Sequence, residues 1–121
     1  MKSISVIALL LTSGAFANAA PAVEKEMDAL LASLRGSKCR FERNGTWYDA
    51  GAAADHLQKK RQYLDDKEKI AKSEDFVRLG ASESSLSGKP YHVQCQDQPI
   101  VASKVWLEAE LGRLRKASSP H

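Results

Sequence analysis

From Pro21 to Arg35 the apolar residues Val23, Met27, Leu30, Leu31 and Leu34 recur at intervals of three and four, the period of one helical face. Gly36 follows directly, as expected of a helix C-terminus. The period then changes to two. Cys39, Phe41 and Arg43 alternate with Lys38, Arg40 and Glu42, and Asn44-Gly45 is a strong hairpin turn signal. Two short strands, about 38–43 and 46–48, are therefore expected to pair.

Asp49 is placed to cap a second helix through AGAAADHLQKKRQYLDD. Ala53, Leu57, Lys60 and Leu64 share one side of it, with Ala54 and Tyr63 close enough to join. A charged connector leads to Ser73, which reads as the cap of a short helix with Phe76, Val77 and Leu79 inward and Gly80 at its end. After the loop ASESSLSGKP, Tyr91, Val93 and Cys95 alternate with His92, Gln94 and Gln96 as a third strand. Pro99 is expected to open a last helix, with Val101, Val105, Leu107, Leu111 and Leu114 inward, and the tail ASSPH to fray. The pattern predicts an α+β domain: a small three-stranded antiparallel sheet, hairpin plus one later strand, packed by about four helices.

Composition changes this picture at the front. Lys2, an uncharged apolar run from Ile4 to Ala17, and Ala17-Asn18-Ala19 form the pattern of a secretory signal peptide, with cleavage expected after Ala19. Residues 1–19 are then a leader and residues 20–121 a single domain, exported to the periplasm or beyond, with no membrane insertion after cleavage. Losing Lys2 takes the basic residues from 18 to 17 against 15 acids. That balance gives no support to nucleic-acid binding, which needs clustered phosphate-neutralising cations. The runs HLQKKRQ (56–62) and GRLRK (112–116) read as solvated helix faces. In an oxidising compartment the two cysteines, Cys39 and Cys95, are expected to form one disulfide, which is worth about 4 kcal/mol in the chain-entropy model. No CxxC or HxxxH spacing suggests a metal, and no cofactor is expected.

The segments RNGTWYDAGAAADHL, SEDFV and SSLSGKPY, following an exported leader and an amphipathic helix, resemble the YfeK-like family of small exported bacterial proteins, a domain of unknown function. The resemblance spans about residues 24–112 and implies no established activity. The disulfide is expected on the compartment argument alone.

The stretch SSLSGKPY holds most of the candidate chemistry. It is no P-loop: Glu83 stands where the first glycine belongs, Pro90 follows Lys89, and a strand comes next. It also lacks the GxSxG elbow. It reads either as a turn before the third strand, with Gly88 supplying the permissive backbone, or as a recognition loop. In the second case Ser84, Ser85, Ser87, Lys89 and Tyr91 would meet a partner's carboxylate or a glycan. Arg43 could pair with a ligand anion or an internal acid. Trp47 reads as core, or as a binding anchor if exposed. His56 reads as a packing histidine before it reads as a base.

Three functions are weighed. The first is a non-enzymatic binding protein, an inhibitor or immunity-type partner of an envelope enzyme. The second is a glycan-associated protein using Lys89, Arg43 and Trp47. The third is a weak serine hydrolase using Ser87 or Ser85 with His56.

Overall fold

The computed structural model describes residues 20–118; the expected leader (1–19) and the end of the tail (119–121) lie outside the described residues. The elements run α1 (Pro21–Arg35), β1 (Cys39–Arg43), β2 (Thr46–Asp49), α2 (Ala50–Asp66), α3 (Ser73–Gly80), β3 (His92–Cys95), β4 (Val101–Ala102) and α4 (Ser103–Ser118). The sheet is antiparallel throughout, in the order β2-β1-β3-β4. The α+β class and the four helices are as the pattern predicts, and the sheet gains a fourth strand.

That strand corrects the expected start of the last helix. Val101 and Ala102 pair with Val93 and His92, and the Ser103 amide then donates to the Tyr91 carbonyl at 2.8 Å. The ladder holds the chain extended past Pro99, so α4 begins at Ser103. Leu107 and Leu111 are buried along it. Val105, two residues from Leu107, lies about 200° around the helix and is exposed rather than inward.

The hairpin forms for the reason its turn residues suggest. Asn44 and Gly45 both have positive φ, 51° and 88°, as a type I′ turn requires. Alternation then sorts the sheet into two faces. Cys39, Phe41, Tyr48 and Val93 share the inner face, and Arg40, Glu42, Trp47, His92 and Gln94 the outer one. The inner face packs on the helices, with Phe41 edge-on to Trp106 at 6.1 Å. Met27, Leu30, Leu34, Leu57, Ile70, Phe76, Val93 and Leu107 are almost wholly buried in one core. Cys39 and Cys95 sit directly opposite each other in the β1–β3 register and are bonded.

Other expectations need adjustment. Asp49 does cap α2, its carboxylate accepting from the Ala52 amide at 2.8 Å. Ser73 does not cap α3: that place falls to Lys72, and the Asp75 carboxylate accepts from the Ala71 and Lys72 amides. Ser73 lies one residue into the helix, fully buried, and donates to Glu26 at 2.6 Å. Tyr63 is 61 % exposed, lying under the Lys67 ammonium instead of in the core. Leu79 is also exposed. Among the described residues no helix is long and apolar enough to cross a membrane.

Candidate functional site

Three separate pieces of chain converge beside the hairpin turn. The end of β1 contributes Arg43, successive turns of α2 contribute His56 and Lys60, and the segment 83–91 contributes its serines and Tyr91. Between them lies a cleft in two lobes that share Arg43, His56 and Tyr91. The inner lobe, of about 120 Å³, has an apolar floor of Phe41, Ala53 and Leu57 and also meets Tyr48. The outer lobe, of about 200 Å³, opens between Asn44, Lys60, Ser84, Ser85 and Leu86.

Each wall is held by contacts that follow from local chemistry. Arg43 lies over the Tyr48 ring, 5.0 Å from its centroid, and donates to the Tyr48 hydroxyl at 3.3 Å. Lys60 follows His56 by one helical turn, so both side chains project from the same face of α2. Tyr91 ties them together. Its hydroxyl accepts from Lys60 Nζ at 3.1 Å and lies 3.2 Å from His56 Nε2. Lys60 also donates to the Glu83 carbonyl at 3.2 Å.

The electrostatics of this cluster are lopsided. Burial, followed by the positive charges of Arg43, Lys60 and Lys59, pushes His56 down to about 4, so its ring is neutral at neutral pH. Burial and the Arg43 charge also lower Lys60, with the Glu83 carboxylate acting weakly the other way. Burial raises Tyr91, which keeps its phenol protonated. Among the described residues no carboxylate lies within 4 Å of Arg43 or Lys60. Glu42, beside Arg43 in sequence, points to the outer face, where its carboxylate accepts from the Gly45 amide and meets His92 Nδ1 at 2.7 Å.

The SSLSGKP segment is more than a turn. Ser84 is buried, and its hydroxyl oxygen accepts from the Leu86 and Ser87 amides and from Asn44 Nδ2 at 3.2–3.3 Å. Ser87 Oγ donates back to Asn44 Oδ1 at 2.6 Å. Gly88, with φ of 74°, returns its amide to the Ser84 carbonyl and closes the loop on itself. One asparagine thus serves the hairpin turn through its backbone and clamps the loop through its side chain. At the crest of the clamped loop Leu86 is 97 % exposed.

The sequence-derived candidates therefore divide. Arg43, His56, Ser84, Ser85 and Tyr91 do line one cleft. Ser87 belongs to the clamp, and Lys89 stands exposed at the far end of the loop. Trp47 is neither core nor part of the cleft: it is partly exposed on the outer sheet face, with Arg40 5.0 Å above its ring. Because Trp47 pairs with Glu42, its side chain lies on the face opposite Arg43, and the trio Lys89, Arg43 and Trp47 does not form one surface. His56 bonds Tyr91 instead of a serine, while the Ser84 and Ser87 hydroxyls are committed to the loop and hairpin.

Lys60 and Leu86 were not singled out by the sequence. Lys60 carries a detectable signal, a lysine on the apolar side of α2 one turn after His56. The HLQKKRQ run is not the solvated face it suggests. His56 and Lys60 turn into the cleft, and Arg61 is buried against α1 with Asp28 at 2.7 Å and Glu24. The GRLRK run does stay at the surface, where Arg115 bridges Glu26 and Glu74.

Comparison with known proteins adds the lineage. Residues 21–115 match the model of a family described as a family of unknown function (DUF5329). The chain is 38 % identical over 94 residues to an uncharacterized protein, YfeK, of Salmonella typhimurium, covering 75 % of this chain and 77 % of that one. No solved structure matches.

Proposed function

The chain belongs to the DUF5329 family of unknown function, and on that premise we propose that it acts by binding another protein of the bacterial envelope, as a small periplasmic inhibitor or immunity-type partner. One observation carries this reading. Leu86, almost fully exposed, is presented on a loop locked to the hairpin by Ser84, Ser87 and Asn44. An apolar side chain held out by a pre-organised loop loses little conformational entropy on contact, the property of a binding anchor. The cleft beside it offers room for a neighbouring side chain of the partner. The disulfide between Cys39 and Cys95 is consistent with an exported protein and supports the envelope as the place of action.

The immobilised oxidised domain, residues 20–121, is expected to retain one stoichiometric protein from envelope extract. Leu86→Asp and Lys89→Glu are expected to lose it while keeping the parent Tm. Undiminished retention by both variants would remove the loop as the contact. A second reading, association with peptidoglycan, is favoured by Trp47, whose ring is partly open on the uncovered sheet face. It requires cosedimentation with purified sacculi that Trp47→Ala abolishes.

A further inference from the structure

What sets the two cleft cations apart is where they point. Arg61, Arg115, Arg113, Arg78 and Arg35 each sit on at least one carboxylate within 4 Å. Arg43 and Lys60 instead point into a half-buried cleft, and their charges act on each other and on His56. Two like charges drawn together at a partly desolvated place raise the free energy of the empty cleft, and an anion seated between them lowers it. The nearby acids are otherwise engaged. Glu42 meets His92, and the Glu83 carboxylate is turned toward Gly88, although its charge still reaches Lys60.

The polar groups that face the cleft narrow the anion's class. They are side-chain donors: the Arg43 guanidinium, the Lys60 ammonium and the exposed Ser85 hydroxyl. Phosphate sites usually add a set of converging backbone amides. Here the loop amides of Leu86, Ser87 and Gly88 are turned inward to Ser84. The inner lobe, immediately behind Arg43 and His56, is mostly apolar and holds only a few heavy atoms; Glu42 also contributes to its lining, with its carboxylate engaged by Gly45 and His92. A planar guanidinium beside a small apolar recess matches a carboxylate on a short hydrocarbon stem.

We propose that this cleft is a carboxylate-recognition site, in which Arg43 and Lys60 bind the anionic group of an acidic side chain or chain terminus while its stem enters the lobe floored by Phe41, Ala53 and Leu57. The site is part of the binding surface described above and deepens that reading by assigning the chemistry of the partner's contact. The Tyr91 hydroxyl and the Glu83 carbonyl hold the lysine, and neutral His56 meets Tyr91 without adding a third charge.

The test uses small probes and needs no partner. The oxidised domain is titrated with butyrate, acetate, butyramide and inorganic phosphate, following the ring signals of His56 and Tyr91 by NMR. Butyrate is expected to give saturable shifts and to raise the His56 titration midpoint, since a bound anion offsets the charges of Arg43, Lys60 and Lys59. Acetate, lacking the stem, is expected to bind several-fold more weakly, and butyramide at least tenfold more weakly. Arg43→Gln is expected to weaken butyrate at least tenfold, with Arg43→Lys recovering part of the loss. Lys60→Gln gives the same reading should Arg43→Gln fail to fold. Equal shifts from butyrate and butyramide, no shift at all, or undiminished binding in both glutamine variants would overturn the proposal. Tighter binding of phosphate than butyrate would overturn the carboxylate assignment. Lys89→Glu, at a position that lines neither lobe of the cleft, should leave butyrate binding intact, so loss of partner capture and loss of probe binding report on separate claims.

Discussion

Two faces of α2 treat positive charge in opposite ways. Toward its C-terminal half, Arg61 is buried between α2 and α1 and is met by Glu24 and Asp28. Across the same helical layer Arg115 joins α4 to Glu26 of α1 and Glu74 of α3, and Ser33 joins α1 to Glu110 of α4. On another face, His56 and Lys60, the latter adjacent to Arg61 in sequence, face Arg43, and among the described residues no carboxylate lies within 4 Å of Arg43 or Lys60. A fold that pairs its cations so thoroughly where helices meet does not lack acids to place. The contrast separates charges that hold the scaffold from charges left for the proposed anion, a division expected if the cleft is a binding site that carries a local stability cost.

The strongest way to break that contrast is at Arg61. Arg61→Ala is expected to cost about 2 kcal/mol, less than a fully buried pair because Asp28 and Glu24 regain water. Urea unfolding measures it, and a cost near zero would mean that α1 and α2 are held by packing alone. Arg115→Ala should cost less, about 1 kcal/mol. Its signature lies in pH. The Arg115 hydrogen bond holds Glu74 down at about 2 against an ordinary 4.5. A carboxylate with a depressed folded pKa contributes stability above its unfolded pKa and loses it as pH falls through the folded value. The difference between parent and Arg115→Ala should therefore be full above about pH 4.5 and shrink toward pH 2. A constant difference across that window would assign the effect to packing. Lys60→Met sharpens the comparison with the smallest effect and the opposite sign. Removing one of two unpaired cations is expected to leave stability unchanged or raise it by about 0.5 kcal/mol, while butyrate binding falls. Marked destabilisation would place Lys60 with the scaffold.

How far all this could be read from residues alone depended on the range of the interaction. The amphipathic stripe of α1, the Asn44-Gly45 turn and the Asp49 cap are local, and local rules placed them correctly. β4 was missed because Val101 and Ala102 also fit a helical stripe, and only the ladder to Val93 and His92 decides between the two. Ser73 looked like a cap because a serine before two acids usually is one; Asp75 took the amides instead. The cleft was half legible. Arg43, His56, Ser85 and Tyr91 stood out by type, but sequence could not pair Lys60 with Tyr91 across 31 residues or separate it from Arg61, its neighbour with the opposite role. Trp47 shows the converse: its position on β2 was legible, but not which face of the sheet the helices would cover.

The bond between Cys39 and Cys95 shortens a path as well as joining two strands. In the unfolded reduced chain the clamp from Asn44 to Ser84 must close across 40 residues. In the oxidised chain the same two residues are linked through the sulfurs by about 5 residues on one side and about 11 on the other. With loop entropy scaling as the logarithm of length, the shortcut favours closure by about 0.8 kcal/mol, roughly a fourfold change in the open-to-closed ratio. In the folded chain the β1–β3 ladder already holds the two strands together, so the bias acts on the unfolded chain, where the sulfur bridge keeps the hairpin and the later loop within reach of each other before the ladder forms.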